Sequence, residues 1–372
     1  MRLVPLLLAA LAPMLATQAA GQDAQGITTP FVLAPFNMEA AACSVPPGLT
    51  PSLGFARDND RAFILGVGVG LEQAAKDRGL SYEQGDAHND AATQAQQITD
   101  FSIRKFGAVV TPPVDPLTLA PVLIGTMSAG TYVGTVVPHP ATTILNAPQY
   151  LTGKVLGDDA ADYIRETLGG RADVVLLTQD SLQFLAPRFA AMRDSLNMPG
   201  VRILADISPN PVSEEGGYET MKLILEAHST IDVVLGADTV VLGALRALRE
   251  AGKDRPDQYL GGIDGDAQAV AEIKRGGPYK ASVALSSPVF GYALGWFAAD
   301  WLAGKSVPQA MDILPLALTK DNLAQYEADQ ANPGAVFADA EKREAYLRMY
   351  GNICYDTRSE FLNFPWSSEA GE

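Results

Sequence analysis

The sequence predicts an α/β protein of two doubly wound lobes, each a largely parallel sheet covered by helices on both faces. Three observations carry this. Short β-rich runs alternate with helical patterns from Pro51 onward, Gly or Asp punctuates each pair, and 372 residues suit about two domains. Such alternation requires crossover connections, which give parallel pairing. Roughly nine strands are wide for one domain of this type, so two lobes are expected. A hydrophobic share of 47% is ample for two packed cores.

In chain order, a lone Arg2 precedes the apolar run Leu3 to Leu15, and Ala16 to Gly21 supplies small residues for a signal peptidase. The run is shorter than the about 20 residues that span a bilayer. Residues 1–20 are therefore expected to be a secretory signal cleaved between Ala19 and Gly21, with 21–50 as an N-terminal extension. No other segment is long and apolar enough to be transmembrane. Export places the chain in an oxidising compartment, so Cys43 and Cys354, its two cysteines, are expected to form a disulfide tying the extension to the C-terminal tail.

The strand candidates are Ser52–Ala56, Ser81–Gly85, Ala108–Thr111, Tyr132–Val137, Asp173–Thr178, Arg202–Ile207, Asp232–Gly236, Tyr259–Ile263 and Lys280–Leu285. Helical patterns fill the gaps, including Leu71–Arg78 ending at Gly79, Ala91–Lys105 capped by Asp90, and Val240–Ala251 closed by Gly252. Past Pro308 the alternation stops. Asp312 to Leu316 can add an edge strand, and a tail with Tyr346, Tyr350, Tyr355, Phe361, Phe364 and Trp366 is expected to pack back on the body.

With 27 Lys and Arg against 43 Asp and Glu, the net charge of −16 repels phosphate backbones and anionic lipid, so nucleic acid is excluded as a partner. Two Cys and three His are too few for a zinc cage of four thiolates or four imidazoles, a count that leaves open a metal held by Asp and Asn oxygens; neither metal nor cofactor is expected. Gly66-Val67-Gly68-Val69-Gly70 has the wrong spacing for a dinucleotide fingerprint and reads as a helix, starting near Ala62, whose glycines pack closely. Asp86, His88 and Asp90 occupy calcium-loop positions, but Ala91 and Gln97 stand where Gly and Glu are needed. Ser128 does not sit in a G-x-S-x-G elbow. No catalytic constellation emerges. Ligands of doubly wound sheets bind beyond the strands' carboxyl ends, here in the cleft between lobes.

Several segments in order resemble the type I periplasmic solute-binding proteins of ABC importers, in the ribose-binding-like sugar branch. They are Gly70-Leu71-Glu72-Gln73-Ala74-Ala75, Asp86-Ala87-His88-Asn89-Asp90, Thr111 to Pro116, Ala129-Gly130, Gly236-Ala237-Asp238, Leu242 to Leu248, Gly262-Ile263-Asp264-Gly265 and Ser286 to Gly291. The resemblance covers about Leu53 to Gly304. It implies two lobes joined by a three-crossing hinge. The N-terminal lobe is assigned 51–140 plus 288–306, the C-terminal lobe 141–287 plus 307–320, and the tail 321–372.

The resemblance also implies site residues. Phe63 matches an aromatic that stacks on the sugar, with Asp60 and Arg61 where polar contacts lie. Asp264 matches a carboxylate that accepts ligand hydroxyls, and Asp at a strand's carboxyl end fits that use independently. Asp115 matches an Asp of the cleft wall or hinge. Asp238 follows the position of a usual Asn, here Ala237, and the usual hinge Gln falls at Ser286 or Ser287. The family's Asp-Arg after the fourth strand is replaced by Val137-Pro138 and then His139, a candidate contact. The Arg expected before the sixth helix has no match, so Gln179, Asp180 and Phe184 are the candidate replacements. Taken together, the resemblance implies a periplasmic receptor, expected to act as a monomer without catalysis, that captures a small polar solute such as a sugar or polyol and delivers it to an ABC permease. The alternatives are a ligand-sensing accessory of a chemoreceptor or kinase, and an exported enzyme.

Overall fold

The computed structural model describes residues 32–137, 139–180 and 185–363. The expected leader lies outside them, as do Pro138, Phe184, Phe364 and Trp366. The chain first builds β1 (Thr50–Arg57), α1 (Ala62–Arg78), β2 (Ser81–Asp86), α2 (Ala91–Ile103), β3 (Phe106–Thr111), α3 (Pro116–Ser128), β4 (Tyr132–Val136) and β5 (Thr143–Asn146). It crosses to a second lobe for α4 (Gln149–Glu166), β6 (Ala172–Leu177), α5 (Ala186–Leu196), β7 (Val201–Ile207), α6 (Glu214–Ala227), β8 (Val233–Gly236), α7 (Asp238–Glu250), β9 (Tyr259–Ile263), α8 (Ala267–Arg275) and β10 (Tyr279–Ala284). It returns for α9 (Ser287–Leu302) and β11 (Ala310–Ile313), visits the second lobe again with β12 (Leu316–Leu318) and α10 (Leu323–Ala331), and ends on the first with α11 (Pro333–Ala338), α12 (Ala340–Tyr346) and β13 (Leu347–Tyr350).

The first sheet runs β13-β11-β5-β4-β3-β1-β2 and the second β12-β10-β9-β8-β6-β7. Pairing is parallel except for β13 on β11 and β12 on β10. Successive residues of the central strands feed cores on opposite faces. Leu53 and Phe55 enter one core and Ala56 another; Val175 and Leu177 enter a third and Val174 and Leu176 a fourth. That period-two split, with apolar residues on both sides, is what helix-covered parallel sheets require.

All nine expected strands are present, within two residues at each end. Gly79 and Gly252 close their helices with φ of 71° and 64°, and the Asp90 side chain accepts the Thr93 amide. The glycine-rich α1 packs on α9 so closely that a Cβ on Gly70 would lie 2.0 Å from the Pro288 carbonyl oxygen. Close packing, not phosphate binding, is the use of those glycines.

The lobe boundaries need correction. Thr143–Asn146 and Ala310–Ile313 pair within the first sheet, although the sequence assigns both to the C-terminal lobe. Each is a four-residue, wholly buried strand with no polar alternation to reveal it. Crossings between β5 and α4, between β10 and α9 and between β11 and β12 make the expected three; the passage from α10 to α11 adds a fourth. Cys43 and Cys354 are disulfide-bonded, with Cα atoms 6.2 Å apart. The described part of the tail packs on the first lobe, Tyr346 being buried in its core.

Candidate binding cleft between the lobes

The carboxyl ends of both sheets supply the cleft. In the first lobe, β1 runs into Asp58-Asn59-Asp60-Arg61. The Asp58 carboxylate takes the Asn59 amide at 2.9 Å and the Arg61 guanidinium at 2.8 Å, and Asn59 donates to Asn89 at 2.8 Å. This ties the ends of β1 and β2 into one polar rim. Asp60 is exposed, and Phe63 is half-buried against the first-lobe core. Asp115 caps α3 by accepting the Thr118 amide at 2.7 Å, and those hydrogen bonds hold its carboxyl below the usual range. His139 is buried near it.

In the second lobe, Asp264 directly follows β9. It is open to solvent yet crowded by protein on most sides, as a group on a cleft wall must be, and burial pushes its carboxyl up to about 6. Arg188 of the same lobe opposes that rise most strongly, and Arg61 of the other lobe contributes in the same direction. Asp264 thus stands within electrostatic reach of a guanidinium on each side of the cleft.

Arg188 is a residue that sequence reasoning missed. It lies in the first turn of α5, a few residues beyond where an arginine was sought. It is buried, and its Nε and Nη2 both donate to Gln149 Oε1, at 2.9 and 2.6 Å. Gly153 makes the placement available, because a Cβ there would lie 1.8 Å from the Arg188 carbonyl oxygen. The signal in the sequence was the small face of α4, legible only once α5 is known to pack on it.

Backbone strain gathers at the same strand ends. Five non-glycine residues have positive φ, and four of them, His88, Asn89, Val137 and Asp264, lie just past the carboxyl ends of β2, β4 and β9 among the described residues. Val137 and Asp264 have φ of 129° and 125° at equivalent places in the two lobes. Strain of this kind costs about 1–3 kcal/mol per residue and persists where surrounding structure over-determines it, commonly at functional sites.

Three expected contacts are occupied elsewhere. Asp238 is wholly buried. It accepts the Tyr279 and Ser282 hydroxyls, each at 2.7 Å, and the Asp266 amide at 2.8 Å. Asp180 is bound by Arg193, which also reaches Asp206 at 2.6 Å, and so faces the sheet edge at β7. Ser286 is buried in the hinge and accepts Gln330 Nε2 at 2.9 Å. Gln179 is buried at the end of β6. Phe184 lies outside the described residues.

A profile of the periplasmic binding protein domain matches residues 55–306. The chain belongs to that family. The ribose import binding protein of Bacillus subtilis is 27% identical over 267 residues, covering 69% of this periplasmic binding protein and 82% of its relative. The xylitol-binding protein of Mycolicibacterium smegmatis is 27% identical over 285 residues, covering 74% and 78%. Among solved structures, a periplasmic ribose ABC transporter protein of Conexibacter woesei superposes with a TM-score of 0.63 at 17% identity, covering 82% of this chain and 99% of that one. An ABC transporter solute-binding protein of Bacillus halodurans with bound myo-inositol gives 0.60 at 19% identity, covering 76% and 99%. These structures share the two-lobed fold of this periplasmic binding protein. Among the described residues no helix is long and apolar enough to cross a membrane.

Proposed function

We propose that this chain is the solute receptor of an ABC importer, exported by a cleaved leader, that closes its lobes around a small neutral polyol or sugar and delivers it intact to the permease. The observation that carries the reading is Asp264: a carboxylate on a strained residue at a strand's carboxyl end, facing Arg188 of its own lobe and Arg61 of the other. A hydroxyl both donates and accepts, so a polyol can donate to Asp264 while accepting from Arg188. The relatives named for ribose and xylitol support that solute class.

The grip is uneven. The second lobe offers Asp264, Arg188 and Gln179, whereas the first offers the Phe63 ring and Val137 beside Arg61, Asp60 and His139. The solute is held by its hydroxyls on one side and covered by apolar surface on the other. Its contacts with both lobes stabilise the closed form, which is the state a permease distinguishes. Among the described residues no group in the cleft is placed as a nucleophile with its base, and the reading is of a monomeric receptor that releases its solute unchanged.

A thermal-shift panel of ribose, xylitol, myo-inositol and glycerol tests the reading. A ligand at about 100 times its Kd adds about 2.7 kcal/mol to the folded state and raises the melting temperature. One of these polyols is expected to do so and to be recovered unchanged; a panel with no shift, or a consumed ligand, refutes it.

A further inference from the structure

The family-matched region ends at residue 306, yet α10 beyond it reaches the hinge. Leu323, Tyr326 and Gln330 recur at helical spacing on one face of α10. Leu323 is buried in the second-lobe core, and Glu327 pairs with Lys274 of α8 at 2.5 Å. At the other end, Asp329 accepts the Tyr346 hydroxyl at 2.9 Å, and Tyr346 is buried in the first-lobe core. The helix is therefore fastened to both lobes, and Tyr326 packs against the cores of both.

Two contacts give Tyr326 a role beyond packing. Its hydroxyl interacts with Ser286, the hinge residue that Gln330 also holds. The same oxygen lies 3.8 Å from where a Cβ on Gly265 would sit. Gly265, with φ of 71°, forms the turn with the strained Asp264. One ring thus backs both the hinge and the turn that aims the candidate ligand carboxylate.

We propose that Tyr326 is a positioning residue of the binding cleft, coupling the hinge at Ser286 to the Asp264 turn, and that the C-terminal segment is a working part of the hinge. The ligand-binding half of this inference rests on the function proposed above; the positioning half does not. As the lobes rotate about Ser286, α10 fixes the pivot and keeps the Asp264 turn in register with it. In this chain α10 lies between the third crossing, β11 to β12, and the fourth, which leads to α11.

The test is amide hydrogen exchange on the full-length oxidised protein without ligand, comparing wild type with Tyr326→Phe, Gln330→Ala and, as a control hydroxyl deletion in the same lobe, Tyr218→Phe. Loss of a polar contact of hydrogen-bond strength speeds local opening by roughly fivefold at most. Tyr326→Phe is expected to speed exchange at Gly265, Asp266 and Ser287 by up to that factor. It should weaken binding of whichever of ribose, xylitol or myo-inositol binds wild type, with little change in global melting. Unchanged exchange at those amides, or equal acceleration by Tyr218→Phe, overturns it. Should Tyr326→Phe fail to fold, Gln330→Ala gives the same readout through Ser286. If no polyol binds wild type, the solute reading fails while the exchange arm still decides the role of Tyr326.

Discussion

Asp238 holds the Asp266 amide at 2.8 Å and thereby fixes the turn on which Asp264 stands. The two carboxylates differ in setting: the buried one holds the loop together, and the exposed one is the carboxylate proposed to meet the solute. Removing the first strands three donors, the Tyr279 and Ser282 hydroxyls and the Asp266 amide. An unsatisfied buried group costs about 1–3 kcal/mol. Asp238→Ala is therefore expected to lower stability by about 3 kcal/mol in urea unfolding and to weaken polyol binding by loosening the turn that carries Asp264.

Stability and binding should respond to pH in opposite directions. Burial pushes Asp238 up to about 7, an increase only partly offset by its hydrogen bonds. The unfolded chain loses this proton near about pH 4. The folded state thus holds a proton the unfolded state has released between about pH 4 and 7, and the stabilisation present below that window is lost as pH rises through 7. Asp238→Asn should flatten this part of the stability profile. Asp264, pushed up to about 6, accepts ligand hydroxyls best when ionised, so affinity should fall as pH drops below 6. Calorimetric titration at pH 5 and 7.5 checks the second trend, and urea unfolding at the same two values checks the first.

The glycine contact behind Arg188 gives a contrast within one residue type. A Cβ at Gly153 meets the Arg188 carbonyl at 1.8 Å, whereas one at Gly125, inside α3, meets nothing within 4 Å. Overpacking costs about 1–3 kcal/mol, and Gly to Ala in an unobstructed helix gains about 0.5–1 kcal/mol. Gly153→Ala should lose stability and ligand affinity together by pushing Arg188 out of place. Gly125→Ala should melt slightly higher and bind normally.

The disulfide joins an N-terminal segment to the tail 311 residues later. Phe36 packs edge-on against Phe297 at 5.5 Å, and Asn352 donates to the Asn37 carbonyl at 2.9 Å, so the bond closes contacts already formed. Removing a native disulfide costs about 2–5 kcal/mol in small secreted domains. Cys43→Ser with Cys354→Ser is expected to lower the melting temperature and to speed exchange in β13 before the β1–β3 core.

The alternation of β runs and helical stretches made the nine principal strands readable, because buried parallel strands and amphipathic helices differ in period and length. The helix caps at Gly79, Asp90 and Gly252 were readable because they follow from local backbone needs. Asp264 could be placed from its strand-end position. The hydrogen bonds of Asp238 could not be read from the sequence, since they depend on Tyr279 and Ser282, some forty residues later in the chain. Arg188 and Tyr326 were invisible for the same reason: each is placed by helix packing that no local pattern encodes. The short strands β5, β12 and β13 have too few residues to show a period.

Small-angle scattering, with the best polyol of the panel added to wild type and to Asp264→Asn, tests the central claim most directly. Closure of two lobes on a solute gripped by Asp264 predicts a smaller radius of gyration for liganded wild type and no contraction for the variant at the same concentration. A polyol that binds wild type without contraction, or that closes Asp264→Asn equally well, would contradict it.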